Sequence, residues 1–468
     1  MLFTQSYNKL QDMMQAGSLL GTVGTSAGVF SIRLGGAVAN FIFSILIARY
    51  LAPEDVGFVF LAMSLAMLAS LFTTLNMDNG AVRHLLHPFT KGDKAEAAGF
   101  IHFTRKMLLL TSPVVMLLFA LALITSQHLK GNLTGPHFWG IIATSFSVPL
   151  LASIRLGSRW GHSLSAILRS MLSHSLFRPL LLCGLTAIYV LGGFPPRLDV
   201  FLGFATLACL AAVVCQYFLL RDTFAFTKEH EADTSKSGTW MRTGVYLSVT
   251  VLLLEYFQNI VVVASAFGLK DADVAQLNIA LRFIGFLGMG LMAVNMAISP
   301  PVSKALAEQR VGQAQWMLSM STHLKFWPTV LVTALVWLLA PFMVGLFGEV
   351  YREAAWALRI FALLPLISAF FGPSIMLLNI LGRQKDIFRI SAVAVALIVL
   401  SIPVAGKYYG INGAAIAAVA TMFFYEWALF QRVSQVTAAN ASLLKAVFPG
   451  LFTGPQKPKT MPVTPPAE

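Results

Sequence analysis

Five ionisable residues sit inside long apolar runs, where charge is expensive: Arg33, Asp78, Glu255, Arg282 and Glu426. On insertion scales a charge at mid-membrane costs at least about 2.5–3.5 kcal/mol, so a side chain retained there faces a cavity or a partner. Arginine stays charged and takes phosphate oxygens in a planar fork, which offsets the cost of drawing an anion out of water. Arg33 and Arg282 are the candidates for that chemistry. Glu255 has two readings, a structural partner for Arg282 or a protonatable site that couples to an ion. Asp78 and Glu426, near span ends, read as interfacial; with Arg49 of the first hairpin they complete the candidate set.

Metal and covalent chemistry find no support. Cys183, Cys209 and Cys215 all lie in apolar runs and read as packing residues, and the nine histidines are scattered. His84 and His87 share a basic loop without carboxylate or thiol partners and read as solvated. No P-loop or His-Glu-x-x-His string occurs, so neither ATP hydrolysis nor zinc chemistry is indicated, and no cofactor is implied. Gly24-Thr25-Ser26-Ala27-Gly28 imitates a nucleophile elbow, but it opens an apolar helix and reads as a Gly-x-x-x-Gly packing face. Gly288-Met289-Gly290, with Ala293, is a partial dinucleotide fingerprint with no βαβ unit around it, and also reads as helix packing.

The elements that must position these residues follow from composition. Of 468 residues 57% are hydrophobic and 11% charged, where a soluble domain has about 25% charged. Soluble, disordered and collagen-like classes are thereby excluded, and the chain reads as an all-α polytopic membrane protein. A hydrocarbon layer about 30 Å thick needs roughly 20 helical residues. Twelve runs meet that length: 24–48, 56–79, 106–127, 138–156, 172–191, 200–220, 243–266, 276–299, 326–347, 356–381, 387–406 and 410–431. At 1.5 Å per residue Arg33 lies roughly 13 Å into the first, Glu255 roughly 16 Å and Arg282 roughly 9 Å from the outer ends of the seventh and eighth.

Most of the 33 Lys and Arg fall on one side of these spans, with only Arg49, Lys130, Arg197, Lys270, Arg352, Arg359 and Lys407 on the other. The positive-inside rule then puts both termini in the cytoplasm. The expected organisation is a cytoplasmic N-terminus (1–23), a six-helix bundle (24–220), a cytoplasmic linker (221–242), a second six-helix bundle (243–431) and a partly disordered cytoplasmic tail (432–468), the bundles enclosing a central cavity. Within the tail, 443–452 is apolar but too short to span and reads as surface-lying. A parallel repeat accompanies the division: at a constant offset of 218, Leu51, Asp55, Val56 and Ala62 meet Leu269, Asp273, Val274 and Ala280.

The hairpin Ala48-Arg49-Tyr50-Leu51-Ala52-Pro53-Glu54-Asp55-Val56-Gly57 resembles the first loop of the polysaccharide flippases, a family of the multidrug, oligosaccharidyl-lipid and polysaccharide exporter superfamily. Three later stretches resemble the same family: Leu346-Phe347-Gly348-Glu349-Val350-Tyr351, Leu378-Asn379-Ile380-Leu381-Gly382-Arg383-Gln384-Lys385, and Tyr409-Gly410-Ile411-Asn412-Gly413-Ala414-Ala415-Ile416-Ala417. Each also has a plain structural reading, as helix start, cytoplasmic turn or close helix packing. The resemblance implies a non-enzymatic transporter of a bacterial inner membrane. Its cargo would be an undecaprenyl-diphosphate-linked oligosaccharide repeat unit, turned from the cytoplasmic to the periplasmic leaflet by alternating access for exopolysaccharide or lipopolysaccharide (O-antigen) assembly. It implies Arg33 and Arg282 as ligands of the diphosphate, Glu255 as their partner or as the site of a coupling proton or sodium ion, and polysaccharide polymerase and glycosyltransferases as partners. An ion-coupled multidrug antiporter on the same fold is the alternative. A membrane glycosyltransferase or polymerase fits less well, because the longest loops, 80–105 and 300–325, are basic and lack a catalytic set. Peptidoglycan-precursor flippases resemble the chain less, because they have two further C-terminal spans.

Overall fold

A computed structural model describes residues 28–308 and 310–436. The N-terminal segment 1–23, Gly24–Ala27 of the Gly-x-x-x-Gly string and the tail beyond 436, with its apolar stretch 443–452, lie outside the described residues. Among the described residues there are helices and turns and no strand. The helices are α1 (Gly28–Tyr50), α2 (Pro53–Thr73), α3 (Lys94–Leu129), α4 (Gly135–Ser163), α5 (Ile167–Leu191) and α6 (Leu198–Leu220). There follow α7 (Ser237–Ser265), α8 (Asp271–Ala307), α9 (Val311–Gly345), α10 (Ala354–Phe371) and α11 (Gln384–Val436). Gly410, at φ 63°, breaks α11 into two limbs, which match the runs 387–406 and 410–431, whereas the run 356–381 is interrupted at Gly372 and Pro373 between α10 and a short helix, Ser374–Ile380.

Local chemistry sets the helix ends. Pro53 opens α2 with Glu54 and Asp55 in its first turn, where the missing N–H costs nothing and carboxylates meet the positive dipole end. Asp93 caps α3 by accepting from the Glu96 N–H at 3.0 Å. The segment Ser374–Ile380 ends before Gly382, at φ 68°, and α11 starts two residues on, the turn expected at Gly382-Arg383-Gln384-Lys385.

Two loops expected from hydropathy are mostly helix. At 36 residues α3 is roughly 54 Å long, far more than the hydrocarbon needs, and it takes in much of 80–105. Likewise α8 and α9 occupy most of 300–325. Hydropathy marks where lipid ends, whereas the backbone hydrogen-bond ladder continues into water wherever propensity allows.

The chain divides into two compact units. One comprises the described residues up to Leu46 with Ala69–Val245, the other Ile47–Leu68 with Tyr246 onward. In the first unit α4 packs along α6 and against α3. In the second, α8 packs along α9, and Gly57 of α2 comes so close to α8 that a Cβ there would overlap the Asp271 carbonyl.

The linker 221–242 is folded onto the first unit. Trp240 is 1% exposed and meets Phe100 edge-on at 5.4 Å, in a cluster with Met77, Leu85, Ile101, Trp160 and Phe226. Asp233 donates its N–H to the Ala95 carbonyl at 3.1 Å, and Lys236 pairs with Glu96 at 2.6 Å. Gly99 permits this approach, since a Cβ would overlap the Asp233 carbonyl. His84 belongs to the same packing, 7% exposed and 5.9 Å from the Phe100 ring, so it is not the solvated loop residue expected from its basic surroundings. His87 is exposed.

Replacing Trp240 by Ala should cost about 3–5 kcal/mol, the range for truncating a buried aromatic. The thermal midpoint in detergent should fall, and trypsin should cut at Lys228 and Lys236 in the variant before the wild type. Burial, helped by Arg83 and opposed by Glu96, holds the His84 imidazole below its ordinary value of 6.5. The unfolded chain therefore binds this proton more readily, so the stability His84 contributes is complete above pH 6.5 and declines as pH falls below it. His84→Phe should flatten the dependence of the thermal midpoint between pH 7.5 and 5; an unchanged slope would place the titration elsewhere.

Candidate functional site

In the first unit four guanidinium groups lie within electrostatic range of one imidazole. Arg33 of α1, Arg155 and Arg159 of α4 and Arg178 of α5 all act electrostatically on the His174 ring, and Arg33 and Arg159 also reach His162. His174 lies in a π turn, Leu172–Phe177, inside α5, a distortion frequent at functional sites. Its buried Nδ1 makes no hydrogen bond among the described residues. Small residues bring the helices together: a Cβ on Gly36 of α1 would overlap the Ser175 carbonyl, and Gly28 meets Leu168. The described end of the Gly-x-x-x-Gly string is thus a packing residue.

The four arginines differ in their partners. Arg155 is fully committed: Nη2 donates to Asp78 Oδ1 at 2.6 Å, Nε to Asp78 Oδ2 at 3.4 Å and Nη1 to Ser70 Oγ at 3.2 Å. Asp78 is 1% exposed and also accepts from Thr74 and Asn79, so it is a buried structural carboxylate and not the interfacial residue expected. The reason is that α2 ends at Thr73 and the chain turns back into the unit through Leu75 and Asn76, both at positive φ. Arg178 has no carboxylate partner among the described residues; its Nη1 points to the Cys209 thiol at 4.0 Å. A half-buried guanidinium held by a neutral thiol is an anion-binding group in the plain chemical sense.

The second unit holds a separate polar set. Arg282 donates to Asn278 at 3.1 Å and lies over the Phe60 ring at 5.3 Å. Glu255 is exposed and immediately precedes Tyr256, whose φ of −120° kinks α7. Glu426 is 6% exposed, takes a hydrogen bond from Ser368 and interacts electrostatically with Lys325, so it too is buried and not interfacial. Lys325, 4% exposed, donates to Asn295 at 3.0 Å and lines a cavity of about 440 Å³ between α8 and α9 with Thr329 and Thr333. Gly290 borders that cavity, and a Cβ at Gly288 or Gly290 would meet nothing within 4 Å, which corrects the expectation that these glycines serve helix packing.

Arg49 acts within the second unit as a clamp. Its Nε donates to the Leu346 carbonyl at 2.8 Å, at the C-terminal end of α9, and Tyr351 donates to the Ala48 carbonyl at 3.4 Å. Two of the stretches quoted for the family resemblance are therefore bound to each other. Of the residues expected to bind or couple, Arg33 is the one that the fold surrounds with further cations. Arg155, Arg159, Arg178 and Lys325 are not among the candidates from sequence, because they sit near the ends of apolar runs. The pair Arg155 and Arg159, four apart on a helix that carries Gly157 and Gly161, was the available signal of an inward-facing cationic stripe.

A model of the MatE family matches residues 247–405, which lie in the second unit. No curated protein matches the sequence. Among solved structures, an inward-facing multidrug resistance MATE transporter of the MOP superfamily superposes with a TM-score of 0.67 at 15% identity, covering 88% of this chain and 98% of that one. The lipid II flippase MurJ, in an inward closed conformation, gives a TM-score of 0.67 at 13% identity over 86% of this chain and 87% of that one. A MOP superfamily transporter from Pyrococcus furiosus gives 0.58 at 15% identity, with 88% and 94% covered. The chain has the polytopic all-helical fold of these proteins.

Asp78→Asn should destabilise the first unit by about 3–5 kcal/mol, because it strands the buried Arg155 charge. Asp78→Leu combined with Arg155→Met should recover most of the lost thermal midpoint. A double variant as unstable as the sum of its singles would show that the pair is not a self-contained unit.

Proposed function

We propose that this chain is a membrane transporter that turns a diphosphate-linked lipid oligosaccharide, of the undecaprenyl type, from the cytoplasmic to the periplasmic leaflet of a bacterial inner membrane. The observation that supports this reading is that Arg178, half-buried, has a neutral thiol and no carboxylate as partner among the described residues, with Arg33, Arg155 and Arg159 also within electrostatic range of His174 and Arg155 already held by Asp78. A diphosphate leaving water needs several cationic donors at once, and guanidinium forks supply them without proton bookkeeping. Arg282, held by Asn278 and Phe60 in the second unit, is a further candidate ligand for phosphate, with Glu255 as its partner or a coupling site. The fold is that of transporters, one of which is a lipid II flippase. Polysaccharide polymerase and glycosyltransferases would act before and after it.

The competing reading is an ion-coupled multidrug antiporter, favoured by the buried Glu426 beside Lys325 and by the MATE structures among the neighbours. The two separate in a deletion strain whose lipid-linked oligosaccharides are sorted by leaflet with a periplasmic enzyme that acts only on exposed sugars. The flippase reading expects cytoplasmic accumulation and loss of surface polymer. Normal polymer with raised sensitivity to cationic drugs would establish the antiporter. In complementation, Arg33→Ala with Arg178→Gln should insert normally and lower translocation at least tenfold, whereas Arg197→Gln, an exposed site, should restore it fully.

A further inference from the structure

A cleft of about 280 Å³ opens on the first unit between α3 and α6, both of which pack on α4, and α4 forms its floor through Gly157 and Trp160. Arg105, Arg221 and Lys228 ring it, and no carboxylate lines it. Arg221 has only its exposed chain neighbour Asp222, at 3.5 Å, as an ion-pair partner among the described residues. The floor is fixed, because Gln216 of α6 donates to the Ile154 carbonyl of α4 at 3.0 Å. Lys228 stands on the short helix Phe226–Glu229, which Phe226 anchors in the core. Trp160 is 4% exposed, and its indole N–H makes no hydrogen bond among the described residues.

The level of the cleft is informative. Arg105 borders the apolar run 106–127 within α3, Trp160 lies in the last turn of α4 and Arg221 just beyond α6, and along the apolar runs from these residues Leu109, Leu110, Val214 and Phe218 are exposed, as lipid-facing residues are. A cationic rim above an exposed apolar belt matches a phospholipid, with phosphate on the rim and acyl chains on the belt. The headgroup type follows from Trp160. The Arg105 guanidinium lies 5.4 Å from its ring centroid, so the aromatic face that could take a choline or ethanolamine cation is already filled. Three cations then face the ligand, and no carboxylate lines the cleft to receive a positive headgroup; its other rings are Tyr217 and Phe224.

We propose that this cleft binds the headgroup of an anionic phospholipid of the leaflet on that side, with Arg105, Arg221 and Lys228 holding the phosphate and the Trp160 N–H donating to a phosphate or ester oxygen. This site is separate from the arginine cluster and does not rest on the identity of the cargo.

The test uses the purified full chain in detergent, with thermal unfolding followed during titration with phosphatidylglycerol, phosphatidylcholine or soluble glycerophosphate. Phosphatidylglycerol should raise the midpoint saturably, and the other two should not. Arg105→Gln with Lys228→Gln should weaken the apparent affinity about tenfold or more, since two of three cations are lost. Arg197→Gln, at the opposite end of α6, should leave it unchanged. If the double variant fails to fold, Lys228→Gln and Trp160→Phe alone serve, the second removing one donor while keeping the ring. Equal response to phosphatidylcholine, wild-type affinity in the variants, or an equal shift with glycerophosphate would each overturn the proposal. So would protection by a polyprenyl diphosphate without protection by phosphatidylglycerol, which would make the cleft a cargo site.

Discussion

A guanidinium inside a membrane protein must be answered by an acceptor, and in the first unit Asp78 answers Arg155. To bring Asp78 there, the chain leaves α2 through Leu75 at φ 45° and Asn76 at φ 55°. A left-handed leucine costs about 1–3 kcal/mol and persists only where its surroundings over-determine it. Here the ion pair and the Asn79-to-Asn76 side-chain bond at 2.8 Å do so. The same turn delivers Met77 and Ala81 to the cluster around Phe100, the cluster receives Trp240, and Trp240 fastens the linker whose Phe224 and Lys228 complete the lateral cleft. One buried charge pair thus underlies a turn, a core and a lateral cleft in succession.

The second unit is organised by backbone approach and helix-end chemistry. Pro53 and Asp271 open their helices at the same offset of 218 that relates Leu51 to Leu269 and Val56 to Val274, all four buried. The two related helices meet where Gly57 lies against the Asp271 carbonyl. Arg49 closes the arrangement by taking the exposed carbonyl at the end of α9, which accounts for an arginine beside a Pro-Glu-Asp helix start without any ligand. Asp55 and Asp273 share the repeat, but the arginines within the spans do not: Arg33 corresponds to Val251, and Arg282 to Ser64. Backbone geometry is common to both halves, while the polar chemistry is particular to each.

That difference explains what could be read from the sequence. Most of the apolar runs, the helix start at Pro53 and the turn at Gly382 were legible because each depends on local composition or one residue's backbone freedom, whereas Gly410, expected to serve helix packing, instead breaks α11 at φ 63° with open space around it. Arg33 was legible because its depth alone marks it. Arg155, Arg178 and Lys325 were not, because each is near a span end, and there depth cannot separate a snorkelling cation from one turned inward. His84 was hidden by the same rule: its basic neighbours suggest water, but a linker about 150 residues away in sequence covers it. Distant packing decides these cases, and no window of adjacent residues contains it.

Arg155 and Arg178 show how structure and function divide one residue type. Each removes a guanidinium from bulk water at the cost of its hydration. For Arg155 the fork to Asp78, with Ser70 on the remaining edge, returns that cost within the unit. For Arg178 a neutral thiol at 4.0 Å returns little of it. A fold retains such a deficit where a group from outside supplies the missing acceptor, and the diphosphate proposed as cargo would do this for Arg178. Lys325 belongs with Arg155, since Asn295 and Glu426 answer it from within the second unit. The unanswered charge, and with it the case for a phosphate-bearing cargo, therefore rests on the first unit.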